Sequence, residues 1–309
     1  MKRVLTAALA AAALLFAGGC GGDDGATPSG GGASGGSAAY PVTVGSLTLT
    51  QRPQRIVSLS ATATEMLFAI GAGPQVAAVD DQSNYPADAP KSDLSGFKPN
   101  AEAIAAKNPD LVVLSDDIDK ITSQLDKLKI PVFMTPAAKS MDDTYKEIGQ
   151  LGVLTGHQAE AEALHQQMTT QIDKIVKGVP ARGKPLSYYY ELDPTLYSVT
   201  SKTFVGSIFS LFGMTNVADA ADPDGSKKGY PQLSLEALVK ASPDMIFLAD
   251  SKCCKQSAQT VSARKGWQTI TAVKTGRIYP LDDDIASRWG PRTVDLVQSV
   301  ADAVAKVPA

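Results

Sequence analysis

Histidine is nearly absent from this chain: the 309 residues contain two, His157 and His165. Both lie in one helical run, GHQAEAEALH, that reads as a solvent-facing stretch, so a His-rich zinc or manganese site is not expected. Cysteine is almost as scarce, with Cys20, Cys253 and Cys254 the full set. Charge of neither sign dominates: 29 Lys and Arg face 32 Asp and Glu, a net charge of −3, and no basic stripe invites nucleic acid. Beyond the N-terminus no apolar run is long enough to span a bilayer. The phosphate-cradling pattern GxxxxGK[ST] and the nucleophile elbow GxSxG are both missing. GAG at 71–73 lacks the last glycine of a dinucleotide fingerprint, since Val76 stands there, and it follows a helical pattern, so it reads as a helix end. The acidic groups Asp80–Asp81 and Asp282–Asp283–Asp284 have no histidine paired with them. These absences give no support to an enzyme.

What is present begins with MKRVLTAALAAAALLFAGGC. Two positive residues, an uncharged run from Val4 to Phe16 and small residues before Cys20 make a secretory signal too short for a comfortable membrane span. The ending resembles the bacterial lipobox, in which the cysteine is acylated and becomes the first residue. Ala17 stands where that pattern usually has Leu. Two or more acyl chains on Cys20 would anchor stably, where one is marginal. Residues 21–39 follow, with eight glycines, three serines and two charges. No core forms from such a composition, and nineteen residues of it make a tether spanning about 25 Å.

From residue 40 onward, short apolar runs alternate with amphipathic stretches. Strands are expected at RIVSL (55–59), QVAAV (75–79), DLVVL (110–114), IPVFM (130–134), LSYYYEL (186–192), DMIFL (244–248) and RIYPL (277–281). Helices are expected at 63–71, 100–108, 260–270 and 292–307. The alternation predicts an α/β fold of mostly parallel sheets. A long helical run over 141–178, with Gly152 and Gly156 as two candidate breaks, separates an N-terminal lobe (40–140) from a C-terminal lobe (179–309).

The lobes repeat. AEAIAAKNPDLVVLSDD (101–117) aligns without gaps on LEALVKASPDMIFLADS (235–251), an offset of 134 that matches Glu102 to Glu236, Pro109 to Pro243 and Asp116 to Asp250. In each copy proline stops a helix and aspartate turns the chain into a buried strand. Two similar lobes with a helical spacer imply a cleft between them.

RIVSLSATATEMLFAIGAG (55–73), QSNYP (82–86), NAEAIAAKNPDLVV (100–113), YPQLSLEALVKASPDMIFL (230–248) and SRWGPR (287–292), in this order, resemble the helix-hinged substrate-binding proteins of ABC importers, the kind that carries iron-siderophores, haem and cobalamin. The resemblance covers about residues 52–306. It implies two Rossmann-like lobes joined by one long bridging helix, a lipid-anchored extracytoplasmic monomer, no enzyme activity and no cofactor of its own, the cobalt or iron being carried by the ligand. The implied partners are the permease and ATPase subunits, docked through one surface glutamate per lobe, here Glu102 and Glu236. A helix N-terminal acid stabilised by the helix dipole is the alternative account of those two. By motif, the cobalamin-binding branch places Gln82, Phe97, Tyr197, Tyr230, Asp284 and Arg288 at the ligand, with Trp289 an additional wall. Gln82 and Ser115 depart from that branch. Arg292 and Lys202 are further basic groups placed near the cleft. A ferric siderophore or haem stays open beside a corrinoid.

Cys253 and Cys254 sit after the expected strand DMIFL, where parallel sheets hold their ligands. An exported protein favours pairing them, so a vicinal disulfide on a cleft-side loop is expected, with free thiols the alternative. An extracytoplasmic thiol or redox protein, and an envelope sensor without transport, remain the competing readings. Thiol-disulfide enzymes favour C-x-x-C, which adjacency does not provide.

Overall fold

A computed structural model describes residues 39–308; the expected signal peptide, Cys20 and the tether up to Ala38 lie outside the described residues. The first lobe opens with an antiparallel hairpin, β1 (Val42–Val44) and β2 (Leu47–Leu49). Next come β3 (Ile56–Leu59), α1 (Ala61–Ala69), β4 (Val76–Val79), α2 (Ala101–Ala105), β5 (Leu111–Leu114), α3 (Ile121–Lys127) and β6 (Val132–Met134). Its sheet is parallel throughout, in the order β4-β3-β5-β6. The second lobe contains β7 (Ser187–Glu191), α6 (Phe204–Ser210), β8 (Thr215–Asn216), α7 (Leu235–Ala241), β9 (Met245–Leu248), α8 (Ala258–Ser262), α9 (Thr271–Lys274), β10 (Ile278–Pro280), α10 (Asp283–Ala286) and α11 (Thr293–Ala305). Its parallel sheet runs β8-β7-β9-β10. Taken in chain order, both sheets have the arrangement second, first, third, fourth.

The repeat seen in the sequence therefore extends to topology. β5 and β9 are separated by the same 134 residues, and their side chains alternate alike. Leu111 and Val113 pack with α1 and with the helices after β6, while Val112 and Leu114 pack with α2 and α3. Met245 and Phe247 join Tyr188 and Tyr190 against α6 and α11; Ile246 and Leu248 join Tyr189 on the face of α7. The period of two along a strand accounts for SYYYE: both faces of the sheet are covered, so all three tyrosines are buried.

The helical run expected as one element over 141–178 is two helices, α4 (Met141–Thr155) and α5 (Gln158–Gly178). The break is at Gly156, whose φ of +75° ends α4 in a left-handed cap. Gly152, the other candidate, lies inside α4 where α5 crosses it: a Cβ there would stand 2.5 Å from the Cβ of Ala161. Only α5 bridges. Its Ala161 and Met168 are buried in the first lobe's core and its Ile172 in the second's. His157, expected on a solvent face, is half-buried at the break, its Nε2 2.7 Å from Arg52 Nη2 and 3.1 Å from Gln75 Oε1. The helix expected over 260–270 is cut short at Ser262.

Candidate functional site

Parallel sheets expose backbone and side chains beyond the carboxyl ends of their strands, and where the strand order reverses a crevice opens. In the first lobe that crevice lies between β3 and β5. A hollow of about 450 Å³ occupies it, lined by Leu59 to Thr62 after β3, Asp80 and Gln82 after β4, Gly96 and Phe97, and Ser115 and Asp116 after β5. Asp284, Ser287, Arg288 and Trp289 close it from the segment that enters α11. Five of the seven ligand residues expected from the sequence thus meet in one place: Gln82, Phe97, Asp284, Arg288 and Trp289. Tyr197 and Tyr230 are not part of its lining. They stand exposed on the second lobe past the end of β7, on two segments joined by the pairing of Tyr197 with Gln232 and of Ser198 with Pro231.

Phe97 is 70 % exposed, an aromatic ring with little packing of its own. Trp289 is anchored at both ends, its indole N–H donating to Glu147 (3.0 Å) and its carbonyl accepting from Thr144 (2.9 Å). Four of the five N–H donors of the Arg288 guanidinium are engaged. It donates to Glu65 (2.7 Å), Asn84 Oδ1 (2.9 Å), the Gln82 carbonyl (2.9 Å) and Asp284 (3.2 Å). The residue that resemblance assigned to the ligand is thus first a clamp between lobes. Arg292 lies away from the hollow and also binds Glu65 (2.9 and 2.6 Å), with Tyr85 stacked beneath it. Lys202, on the second lobe, reaches the Pro223 carbonyl instead.

The charge of the hollow follows. Its charged lining is Asp80, Asp116 and Asp284 against the one committed Arg288. Burial lifts the carboxyl of Asp80 above its usual range, partly offset by the Ser83 hydroxyl at 2.5 Å. Asp284 goes the other way: burial opposes ionisation, but bonds from Lys252 and Asn84 and the charge of Arg288 outweigh it.

Sequence reasoning missed Glu65, Asn84, Asp80 and Asp116 as parts of this site. Glu65 had a legible signal, a carboxylate within ATEMLFAIG on a helix whose residues Thr62 to Leu67 are all buried. A buried carboxylate requires a partner. The identity of that partner, more than 220 residues away, is not written locally.

Glu102 and Glu236 occupy equivalent places. Each is exposed in the first turn of a short helix, α2 and α7, capped by Asn100 and Ser234 respectively. Among the described residues neither forms an ion pair. Cys253 and Cys254 lie in the loop after β9, as free thiols with their sulfurs 2.6 Å apart.

Two matched parallel lobes, a bridging helix and a crevice at the strand ends make one family comparison decisive, and a family model described as "Periplasmic binding protein" matches residues 56–285. The chain belongs to the periplasmic binding protein family. Over 280 residues this periplasmic binding protein is 30 % identical to the ABC transporter substrate-binding lipoprotein YvrC of Bacillus subtilis, covering 86 % of each chain. It is 27 % identical over 281 residues to the cobalamin-binding protein of Halobacterium salinarum, covering 86 % of this chain and 75 % of that one. Among solved structures, a periplasmic solute-binding protein from Staphylococcus epidermidis superposes with a TM-score of 0.72 at 26 % identity, covering 83 % of this chain and 100 % of the other. The protein is a substrate-binding protein of the ABC-transporter type. Among the described residues no helix is long and apolar enough to cross a membrane.

Proposed function

We propose that this protein is the lipid-anchored, extracytoplasmic capture component of an ABC importer, and that its ligand is a corrinoid held in the interlobe cleft. The observation that carries the ligand class is the charge of the hollow: three carboxylates and one arginine with four of its five N–H donors already taken. A polyanionic ferric catecholate, or haem with its two propionates, would meet like charge there, because Asp80 and Asp116 have no ion-pair partner among the described residues, whereas Asp284 is paired with Lys252 and Arg288. A corrinoid carries amide side chains that suit carboxylate and hydroxyl acceptors, and a flat face that suits Phe97. A half-open hollow of about 450 Å³ is smaller than such a macrocycle, so the ligand would also extend beyond it, and the exposed Tyr197 and Tyr230 of the second lobe are its proposed further contacts. The kinship to a protein named as cobalamin-binding points the same way. The same charge argument keeps a neutral or cationic ferric hydroxamate as the second reading.

Glu102 and Glu236 are the proposed contacts to the permease. Two exposed carboxylates on equivalent helices, one per lobe, can each receive an arginine fork from a membrane subunit. The bound molecule supplies its own metal, and the protein holds no cofactor. Cys20 is the proposed lipid attachment.

Titration of the purified chain with cyanocobalamin, a ferric trihydroxamate, haemin and a ferric tris-catecholate, followed by tryptophan fluorescence, tests the ligand class. Saturable binding of cyanocobalamin is expected. Binding of the catecholate alone would overturn the charge argument, and binding of none of them would remove the ligand class altogether.

A further inference from the structure

Cys253 and Cys254 are not used by the cleft as described, yet their loop is bolted to it. Asp283 Oδ2 accepts the backbone N–H groups of Lys252 and Cys253, both at 2.9 Å, and Asp283 Oδ1 accepts the Ser251 hydroxyl at 2.7 Å. The Asp250 carbonyl accepts from Cys254 N–H at 3.2 Å. Lys252 Nζ then bridges Asp282 and Asp284, each at 2.8 Å, and Asp284 is the cleft carboxylate bonded to Arg288. One residue therefore separates the thiol pair from the wall of the ligand hollow.

The sulfurs are in contact, Cys253 is exposed and Cys254 half-buried. Contact with the Cys254 sulfur, with burial and nearby carboxylates adding to it, holds the Cys253 thiol far above its ordinary range, at about 12. Two thiolates side by side are disfavoured. Among the described residues no group of three or more His, Cys, Asp or Glu side chains is placed to hold a metal. With a two-electron oxidant, loss of both protons is instead accommodated by joining the sulfurs.

We propose that Cys253 and Cys254 are a reversible dithiol–disulfide site on the rim of the cleft, and that its oxidation releases the Lys252–Asp284 tether. The oxidant is an organic disulfide. One cysteine, as thiolate, attacks it; the S–S bond breaks, one thiolate leaves and a mixed disulfide forms. The second cysteine gives up its proton and attacks the first cysteine's sulfur, expelling the other thiolate. The pair loses two electrons and two protons, and two molecules of thiol are produced. Neighbouring Cα atoms across a trans peptide are about 3.8 Å apart, whereas disulfides prefer about 4.4–6.8 Å. Ring closure must therefore reshape the 253–254 backbone, whose N–H groups are the ones pinned to Asp283 and Asp250. Lys252 moves with it, and Asp284, already in the wall of the hollow, is left held by Arg288 and Asn84 alone.

The test needs no ligand, so its outcome is independent of the proposed function. The full chain in detergent is equilibrated in glutathione buffers of rising oxidised fraction, denatured, alkylated without reductant, and the peptide carrying both cysteines is weighed. Neither cysteine is expected to be labelled on the oxidised side and both on the reduced side, reversibly. Hydrogen exchange of residues 282–289 is measured in parallel and should quicken by about tenfold on oxidation, the scale set by losing one charge-assisted bond. A C253S/C254S chain should show no response to the buffer. In the reduced protein, Lys252→Met should reproduce the quickened exchange without touching the sulfurs. Labelling of both cysteines in every buffer overturns the site. Unchanged exchange on oxidation or in Lys252→Met overturns its coupling to the cleft.

Discussion

The Glu65 carboxylate, 2 % exposed on α1 of the first lobe, receives two hydrogen bonds from Arg292 of the second, at 2.9 and 2.6 Å. Arg288 adds a third at 2.7 Å, so one buried acid is shared by two arginines across the lobes. Removing the acid alone would strand two guanidinium groups at the interface. Glu65→Ala is expected to destabilise the protein by about 3 kcal/mol or more in urea denaturation, the scale for breaking a buried pair from one side. Arg292→Lys keeps the charge but cannot reproduce the fork, and should lie between wild type and Glu65→Ala. A loss under about 0.5 kcal/mol for Glu65→Ala, the level of an ordinary surface change, would mean that the network does not hold the lobes.

Gly152 sits where α4 and α5 cross. An added Cβ would meet Ala161 Cβ at 2.5 Å and the His157 carbonyl at 3.0 Å, neither of which is the end of a flexible side chain. Gly152→Ala should therefore lower stability by about 1–3 kcal/mol, despite alanine's better helix propensity. A control substitution, Gly149→Ala, meets nothing within 4 Å and should be neutral or stabilising. Equal behaviour of the two variants in thermal unfolding would contradict this packing.

Burial raises the Glu147 carboxyl to about 7, although the Trp289 indole N–H bonded to it favours the ionised form. The folded protein thus holds this proton over a range, about pH 4.3 to 7, in which the unfolded chain has released it. Its contribution to stability is fully present below the unfolded value and is lost as the pH rises through about 7. Glu147→Gln keeps an acceptor oxygen for Trp289 and cannot ionise. The variant should match wild type near pH 4 and exceed it in melting temperature at pH 8. A difference of the opposite sign would show that Glu147 is charged in the folded state.

For the exposed glutamates, docking and helix-dipole accounts part company in a transport assay. Glu102→Ala and Glu236→Ala together should abolish ligand uptake in cells while leaving binding by the isolated protein and its melting temperature within a degree or so of wild type. If the two acids serve only their helices, uptake persists and stability falls by a few tenths of a kcal/mol.

Much of the architecture was legible because it is encoded locally. Each of the seven strands expected from apolar runs exists. The PD turn that ends a helix and starts a buried strand appears twice at one spacing, and both lobes share a strand order accordingly. Less readable were elements with weak patterns, such as β1, β2 and the two-residue β8, and the helix break, which depended on which of two glycines took a positive φ. At the site, resemblance located five residues of the hollow but could not say what each was doing there.

The sequence by itself determined the two-lobe α/β plan, the bridging stretch and the matched places of Glu102 and Glu236. Periodicity, caps and turns act over a few residues, and a repeat carries them intact from one lobe to the next. Tertiary structure decided the charge of the hollow, the commitment of Arg288 to Glu65 and Asn84, and the link from Cys253 through Lys252 to Asp284. Glu65 and Arg288 lie 223 residues apart, and a single contact over that distance leaves no periodic trace in the chain. Arg288 in the sequence is a free cation; only the fold brings up the four acceptors that occupy it.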